Sequence, residues 1–258
     1  MNPIVNFLDK LNAAQTHNHS WLCLSLDVQI KKMPLPMARI DDPMFPFARS
    51  IVDATRDLVC AYQLDPGFFW SEGAAGMIAL ERIVRYIPAN VPLILDGKFG
   101  DLGRSAEQYA RGAFEAYQAD AVTFSLQPDQ YVVERFLKYP DKAVFLSTSG
   151  RISLPEVAAQ AAAWNAQFAG ACGLIAEAEE LACLRSAAAE IVCAVSVAGM
   201  TDAAIGVIAE YGPTTGGLGP IVTAGSSPLY ASRHDNFAEA AREAALGLRD
   251  RIHGIHKP

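Results

Sequence analysis

One apolar run that ends in charge carries most of the chemistry in this sequence: Leu93-Ile94-Leu95-Asp96-Gly97-Lys98-Phe99-Gly100-Asp101. Side chains alternate between the two faces of a strand, so Asp96 and Lys98 share one face. If that face looks into a closed sheet, both enter the same site, and Asp101 follows on the loop after Gly100. Carboxylates around a lysine favour its ammonium form, whereas burial opposes it. Such a cluster sets a fixed proton donor beside a fixed negative charge. Gly97 and Gly100 would let a ligand come close to the backbone. The competing reading is a strand-end ion network that satisfies only itself, and the segment alone does not separate the two.

Other chemistries find less support. Ser147-Thr148-Ser149-Gly150 contains hydroxyls, but no histidine is placed to activate one as a nucleophile. The histidines at 17, 19, 234, 253 and 256 lack ligand spacing, and His17 with His19 reads as a solvated terminus, so no metal site is expected. Phe68, Phe69 and Trp70 read as helix packing, and Pro213–Gly219 as an ordinary loop without the helix start that a phosphate site needs. A net charge of −7 without a basic run argues against nucleic acid or an anionic membrane as partner, though not against a small anionic substrate. The five cysteines (23, 60, 172, 183 and 193) include no CxxC pair and read as mostly buried free thiols of a reducing cytoplasm. No secretory leader is expected at the N-terminus, and no apolar run approaches 18 residues.

The elements that must position these residues follow from short apolar runs alternating with helical patterns. Strands are expected at Trp21–Val28, Leu58–Leu64, Leu93–Phe99, Ala121–Leu126, Ala143–Thr148, Gly173–Ala178, Ile191–Val197 and Pro220–Ala224. Several are apolar on both faces, as strands between a barrel core and a helical coat should be. Helices are expected at Glu72–Tyr86, Ser105–Tyr117, Leu154–Ala169 and Phe237–His253. The segment 29–47, with Pro34, Pro36, Pro43 and Pro46, reads as a loop or lid after the first strand. Eight strand–helix units in 258 residues point to an α/β chain folded as one (β/α)8 TIM barrel domain over 1–258, with an open doubly wound sheet as the alternative. In a barrel the chemistry belongs at the C-terminal strand ends, where the Asp96–Lys98–Asp101 cluster falls.

The run LILDGKFGDLGRSAEQYA resembles the signature of orotidine 5′-phosphate decarboxylases, in their longer-chain bacterial branch. WLCLSLDV is similar to that family's first strand, and DATRDLVCAYQLDPGFFWSEGAAGMIALERIV to its second strand–helix unit. DAVTFSL, FLSTSG and LYASRHDNFAEAAREAALGLRDRI resemble the fourth strand, the fifth strand and the last helix. The resemblance implies a cofactor-independent carboxy-lyase. Asp96 would press against the substrate carboxylate, and Lys98 would protonate the carbanion left by CO2. Asp101, with Ser105 beside it, would reach into the partner's site in a homodimer. Asp27 would touch the ribose hydroxyls and Ser149 the pyrimidine ring.

The chain departs from the family pattern at substrate-binding positions. Gln63 stands where the second strand carries a lysine. Thr201 aligns with the glutamine of a Pro-Gly-x-Gly-x-Gln loop, and Ser226 with the arginine that clamps the phosphate. Gly150-Arg151 replaces Asn-Pro. Serine cannot give the bidentate charged contact of a guanidinium. Gly225–Ser227 could offer backbone amides instead, and Arg151 or Arg233 a charge. Three readings follow: a decarboxylase of orotidine 5′-phosphate, a barrel lyase for a related carboxylated nucleoside or heterocycle without the phosphate, and a non-catalytic metabolite-binding relative.

Overall fold

A computed structural model describes residues 6–100, 102–125, 129–148, 153–196 and 201–254. Each apolar run forms a parallel strand, strands pair in chain order, and the eighth returns to the first. The chain runs α1 (Phe7–Asn18), β1 (Leu22–Ser25), α2 (Met44–Thr55), β2 (Ala61–Leu64), α3 (Pro66–Trp70), α4 (Gly73–Tyr86) and β3 (Leu93–Phe99). It continues through α5 (Ala106–Arg111), β4 (Ala121–Phe124), α6 (Gln130–Leu137), β5 (Ala143–Ser147), α7 (Leu154–Gln167) and β6 (Ala171–Ala176). It ends with α8 (Leu181–Ala187), β7 (Cys193–Ser196), α9 (Asp202–Tyr211), β8 (Ile221–Ala224) and α10 (Phe237–Gly254). This is the expected (β/α)8 barrel.

Two layers hold it. Inside the strands, small residues such as Cys23, Cys60, Ala61, Ala121 and Ala143 make room for Ile94, Phe145 and Ile221. Outside, strand residues such as Leu22, Leu24, Val122 and Leu174 pack against the helices. The first helix, which sequence patterning did not reveal, closes one end of this interior. Its Phe7 ring meets Phe145 edge-on at 5.7 Å, and Gln15 exchanges hydrogen bonds with the backbone of Gly219. Lys10 pairs with Asp120, which also accepts the Leu93 amide at the start of β3. That contact ties the plug to the strand bearing the charged cluster.

Several expectations need correction. The strand starting near Gly173 begins at Ala171, and β1 ends at Ser25, so Asp27 lies past its strand. The helix expected over Ser105–Tyr117 breaks into a 3₁₀ turn at Gly103–Ser105, then α5, then a π-helical turn at Gly112–Ala116. The proline-rich segment holds two 3₁₀ turns, at Ile30–Lys32 and Met37–Arg39, and is tied to the rest of the barrel. Leu35 N donates to the Arg233 carbonyl, Gln29 N donates to the Tyr230 hydroxyl, and Met44–Phe47 already belongs to α2. Phe47 is fully buried and stacks on Tyr230 at 5.6 Å, whereas Leu35 and Ile40 remain exposed. Trp70 is not packing: it is 75% exposed, while Phe69 beside it is buried. Four cysteines are buried free thiols, and Cys183 is exposed.

Candidate active site

The strand ends β2, β3 and β4 converge on one carboxylate. Asp96 accepts from Lys98 Nζ at 2.7 Å and from Gln63 Nε2 at 3.0 Å on Oδ2, and from Thr123 Oγ1 at 2.6 Å on Oδ1. Thr123 Oγ1 also accepts the Lys98 amide at 3.1 Å, and Ser125 Oγ donates to the Lys98 carbonyl at 2.9 Å. The lysine is therefore gripped at its backbone by β4 and at its head by carboxylates.

The grip has a cause that strict strand alternation does not supply. The β3–β4 register shifts between Leu95 and Phe99, and Lys98 has φ 46°, the left-handed region disfavoured for a residue with a side chain. The bulge, not regular pleating, turns the ammonium back towards Asp96. Gly97 is needed for a reason other than ligand approach: a Cβ there would stand 2.6 Å from the Phe99 ring. That ring sits in an aromatic cluster, 5.3 Å from Phe136, 5.9 Å from Phe124 and 5.6 Å from Tyr109. The cluster clamps the end of β3 in its bulged form.

A second carboxylate, not singled out in the sequence, completes the lysine's surroundings. Asp65 Oδ2 accepts from Lys98 Nζ at 2.6 Å, and Asp65 Oδ1 accepts the Gly67 amide at 2.8 Å, capping α3. The Asp-Pro-Gly run at 65–67 is a helix-start signature, the signal that could have placed Asp65 at a strand end. Partial burial works to lower the Lys98 pKa, but hydrogen bonds and charges from Asp65 and Asp96 outweigh it, and the net direction is upward. The ammonium is the resting form.

Asp27 lies one step away. Its Oδ2 accepts from Ser25 Oγ at 2.9 Å and its Oδ1 from the Asp65 amide at 3.3 Å. Burial pushes its carboxyl above the ordinary range, the hydrogen bonds from Ser25 and Asp65 pull it back, and the charges of Asp65 and Asp96 raise it again. A carboxyl whose folded pKa is raised costs stability once pH exceeds that pKa, and the cost vanishes as pH falls below the unfolded value. Asp27→Asn is thus expected to raise the melting temperature at pH 7 by roughly 2–4 °C, what about 1 kcal/mol gives in a chain of this size. The gain should shrink near pH 4. Paired thermal melts at the two pH values check it, and no gain at pH 7 would mean the ionised carboxylate is well solvated.

A cavity of about 290 Å³ opens on the cluster, lined by Gln63, Asp96, Lys98, Thr123, Ser147, Glu177 and Thr223 among others. On the other side of β3 lies a cleft of about 690 Å³, also touching Lys98, with Asp65, Trp70, Phe99 and Tyr109 in its walls. Thr223 Oγ1 approaches Gln63 Oε1 at 3.5 Å, so the glutamine is held from β8 as well as from Asp96. Glu177 and Thr223 are further mouth residues that sequence reading did not pick out.

The structure thus brings together Asp96, Lys98, Gln63 and, through Asp65, Asp27. It does not bring Ser105, Thr201, Gly225 or Ser226 into the lining of the mouth cavity. Ser105 Oγ donates to the Leu102 carbonyl, and Thr201 Oγ1 caps α9 by accepting the Ala204 amide. Gly225 and Ser226 form the turn after β8, and a side chain at Gly225 would meet open space. Asp101, Ser149 and Arg151 lie outside the described residues. Among the described residues, no group of acidic, histidine or cysteine side chains could hold a metal ion.

Residues 20–201 match the model of the orotidine 5′-phosphate decarboxylase / HUMPS family. The orotidine 5′-phosphate decarboxylase of Ralstonia pickettii (strain 12J) is 36% identical, covering 96% of this chain and 98% of its own. That of Cupriavidus metallidurans is 37% identical over the same shares. The solved structure of Leishmania donovani OMP decarboxylase superposes with a TM-score of 0.76 at 27% identity, covering 97% of this chain and 99% of its own.

Proposed function

The chain belongs to the orotidine 5′-phosphate decarboxylase / HUMPS family, and on that premise we propose that it is a cofactor-independent carboxy-lyase converting orotidine 5′-phosphate to UMP and CO2. The observation that carries this is the Lys98 ammonium, 2.7 Å from the Asp96 carboxylate at the barrel mouth. The substrate carboxylate seats against Asp96, whose side chain is only 13% exposed. The C6–carboxylate bond breaks, CO2 leaves, and the bond's electron pair stays on C6. Lys98 stabilises that charge and delivers a proton to C6, then regains one from solvent. Gln63 holds Asp96 and faces the ribose, Asp27 takes the ribose hydroxyls, and Ser149 meets the pyrimidine. Thr201, Gly225 and Ser226 form the phosphate end.

The active form in this reading is a homodimer with Asp101 and Ser105 near the shared site. The cleft beside Lys98 supports it, because exposed Trp70 and Tyr109 give it an apolar wall next to the reacting lysine. The reaction belongs to pyrimidine nucleotide biosynthesis, and the free buried thiols suit a cytoplasmic setting. No described helix is long and apolar enough to cross a membrane. The whole chain acts as one barrel domain.

A second reading, a lyase for a carboxylated nucleoside lacking the phosphate, is favoured by one observation. Among the described residues lining the mouth cavity, Lys98 is the one cation, and Asp96 and Glu177 are carboxylates in the same lining. The ultraviolet absorbance change of orotidine 5′-phosphate and of orotidine, each with purified protein, separates the readings. Turnover of the phosphate form at least tenfold faster supports the first. Preference for orotidine supports the second, and turnover of neither overturns both.

A further inference from the structure

We propose that Asp65 is a positioning residue that gives Lys98 its second carboxylate from within the same subunit. The idea rests on the reading of Lys98 as proton donor. Its structural basis is the division of labour between the two oxygens of Asp65. Oδ1 is fixed by the Gly67 amide at 2.8 Å, and that fixation aims Oδ2 at Lys98 Nζ, 2.6 Å away. The Asp65 backbone is anchored too, because its amide donates to Asp27 Oδ1 at 3.3 Å. Asp65 is therefore a rigid acceptor carried by the β2–α3 corner, not a long side chain passing by. Its side chain is 25% exposed against 56% for Lys98, so the better-shielded partner orients the freer one.

Position 63 makes this pairing matter. Gln63 donates to Asp96 Oδ2 but brings no charge, so the Asp96–Lys98–Asp65 row has one cation between two anions. Each carboxylate favours the ammonium form, and neither is neutralised by another described partner at the mouth. The lysine is thereby held protonated, and pointed, by two carboxylates of its own chain.

Two substitutions separate this role from helix capping. Asp65→Asn keeps an oxygen for the Gly67 amide and loses the charge. Asp65→Glu keeps the charge and, one methylene longer, gives up the cap geometry. The readout is trace labelling of the intact protein with acetic anhydride across pH 7–10, following the Lys98 peptide by mass spectrometry with the Lys138 peptide as reference. Labelling tracks the free-amine fraction, so a one-unit fall in the Lys98 pKa makes it roughly tenfold faster below that pKa. In Asp65→Asn, Lys98 labelling should rise about tenfold with the melting temperature nearly unchanged. In Asp65→Glu, labelling should stay near wild type while the melting temperature falls. The basic limb of kcat/KM for orotidine 5′-phosphate should move to lower pH in Asp65→Asn by the same one unit or so. Unchanged Lys98 labelling in Asp65→Asn would overturn the proposal. The labelling needs no substrate. If the wild-type protein does not decarboxylate orotidine 5′-phosphate, the functional reading fails while the labelling still decides the role of Asp65.

Discussion

Replacing Lys98 with alanine is expected to lower kcat/KM for orotidine 5′-phosphate by about 10⁴-fold or more. General acid catalysis contributes roughly 10²–10⁴-fold, and a preorganised charge at the developing carbanion about as much as an oxyanion-hole donor, 10²–10³-fold. Both are lost together here, because one ammonium performs both roles and, among the described residues lining the cavity, no second cation stands in. The fold should survive. The Lys98 side chain is 56% exposed, and its backbone is held by Thr123 and Ser125 rather than by its own head. Lys98→Arg separates the two roles. It keeps a cation between Asp65 and Asp96 but cannot give up a proton, since its pKa lies above about 12. Substrate affinity should then be closer to wild type while turnover stays near the alanine level. Progress curves at high enzyme concentration measure both variants. An alanine variant within tenfold of wild type would remove Lys98 from the reaction.

The fold was readable because each strand announced itself as a short apolar run, and such runs coated by helices have few arrangements open to them. Where the reading failed, the determinant was tertiary. Phe7–Asn18 has few apolar residues and becomes a helix that matters because Phe7 and Leu11 close the barrel interior, a role invisible before the interior exists. Met44–Phe47 contains a proline and still opens α2, since a proline in the first turn of a helix removes no needed hydrogen bond. The site divides the same way. Asp96 and Lys98 were legible as neighbours, yet their contact depends on a bulge and a left-handed lysine that no periodicity foretells. Asp65 was legible only as a helix start, because its second oxygen acquires meaning when β2 and β3 are laid side by side. Thr201 and Ser226 were picked out by alignment to a phosphate end; the Thr201 hydroxyl accepts the Ala204 amide at the start of α9, a local contact that alignment does not show.

Asp96→Asn is the sharper test of how the site lowers the barrier. The amide can keep the shape of the network: its oxygen can accept from Gln63 and Lys98, and its nitrogen can face Thr123 Oγ1, which would lose an acceptor for its own proton. What disappears is a negative charge in a mostly buried position against which the substrate carboxylate is pressed. A charge that opposes the bound carboxylate and not the departing CO2 raises the ground state selectively, so its removal should tighten substrate binding while slowing the chemistry. Lys98 also loses one of its two carboxylates, which weakens its hold on the proton and its aim. The expected result is a kcat lower by about 10²–10³-fold, the size of losing one preorganised electrostatic group, with KM unchanged or smaller. Affinity for UMP, which lacks the carboxylate, should barely move, and that comparison isolates the repulsion from any general loosening of the pocket. Steady-state kinetics with titration of both nucleotides measure it. A large rise in KM with kcat preserved would mean that Asp96 serves binding alone, and the lowering of the barrier would then have to rest on Lys98 by itself.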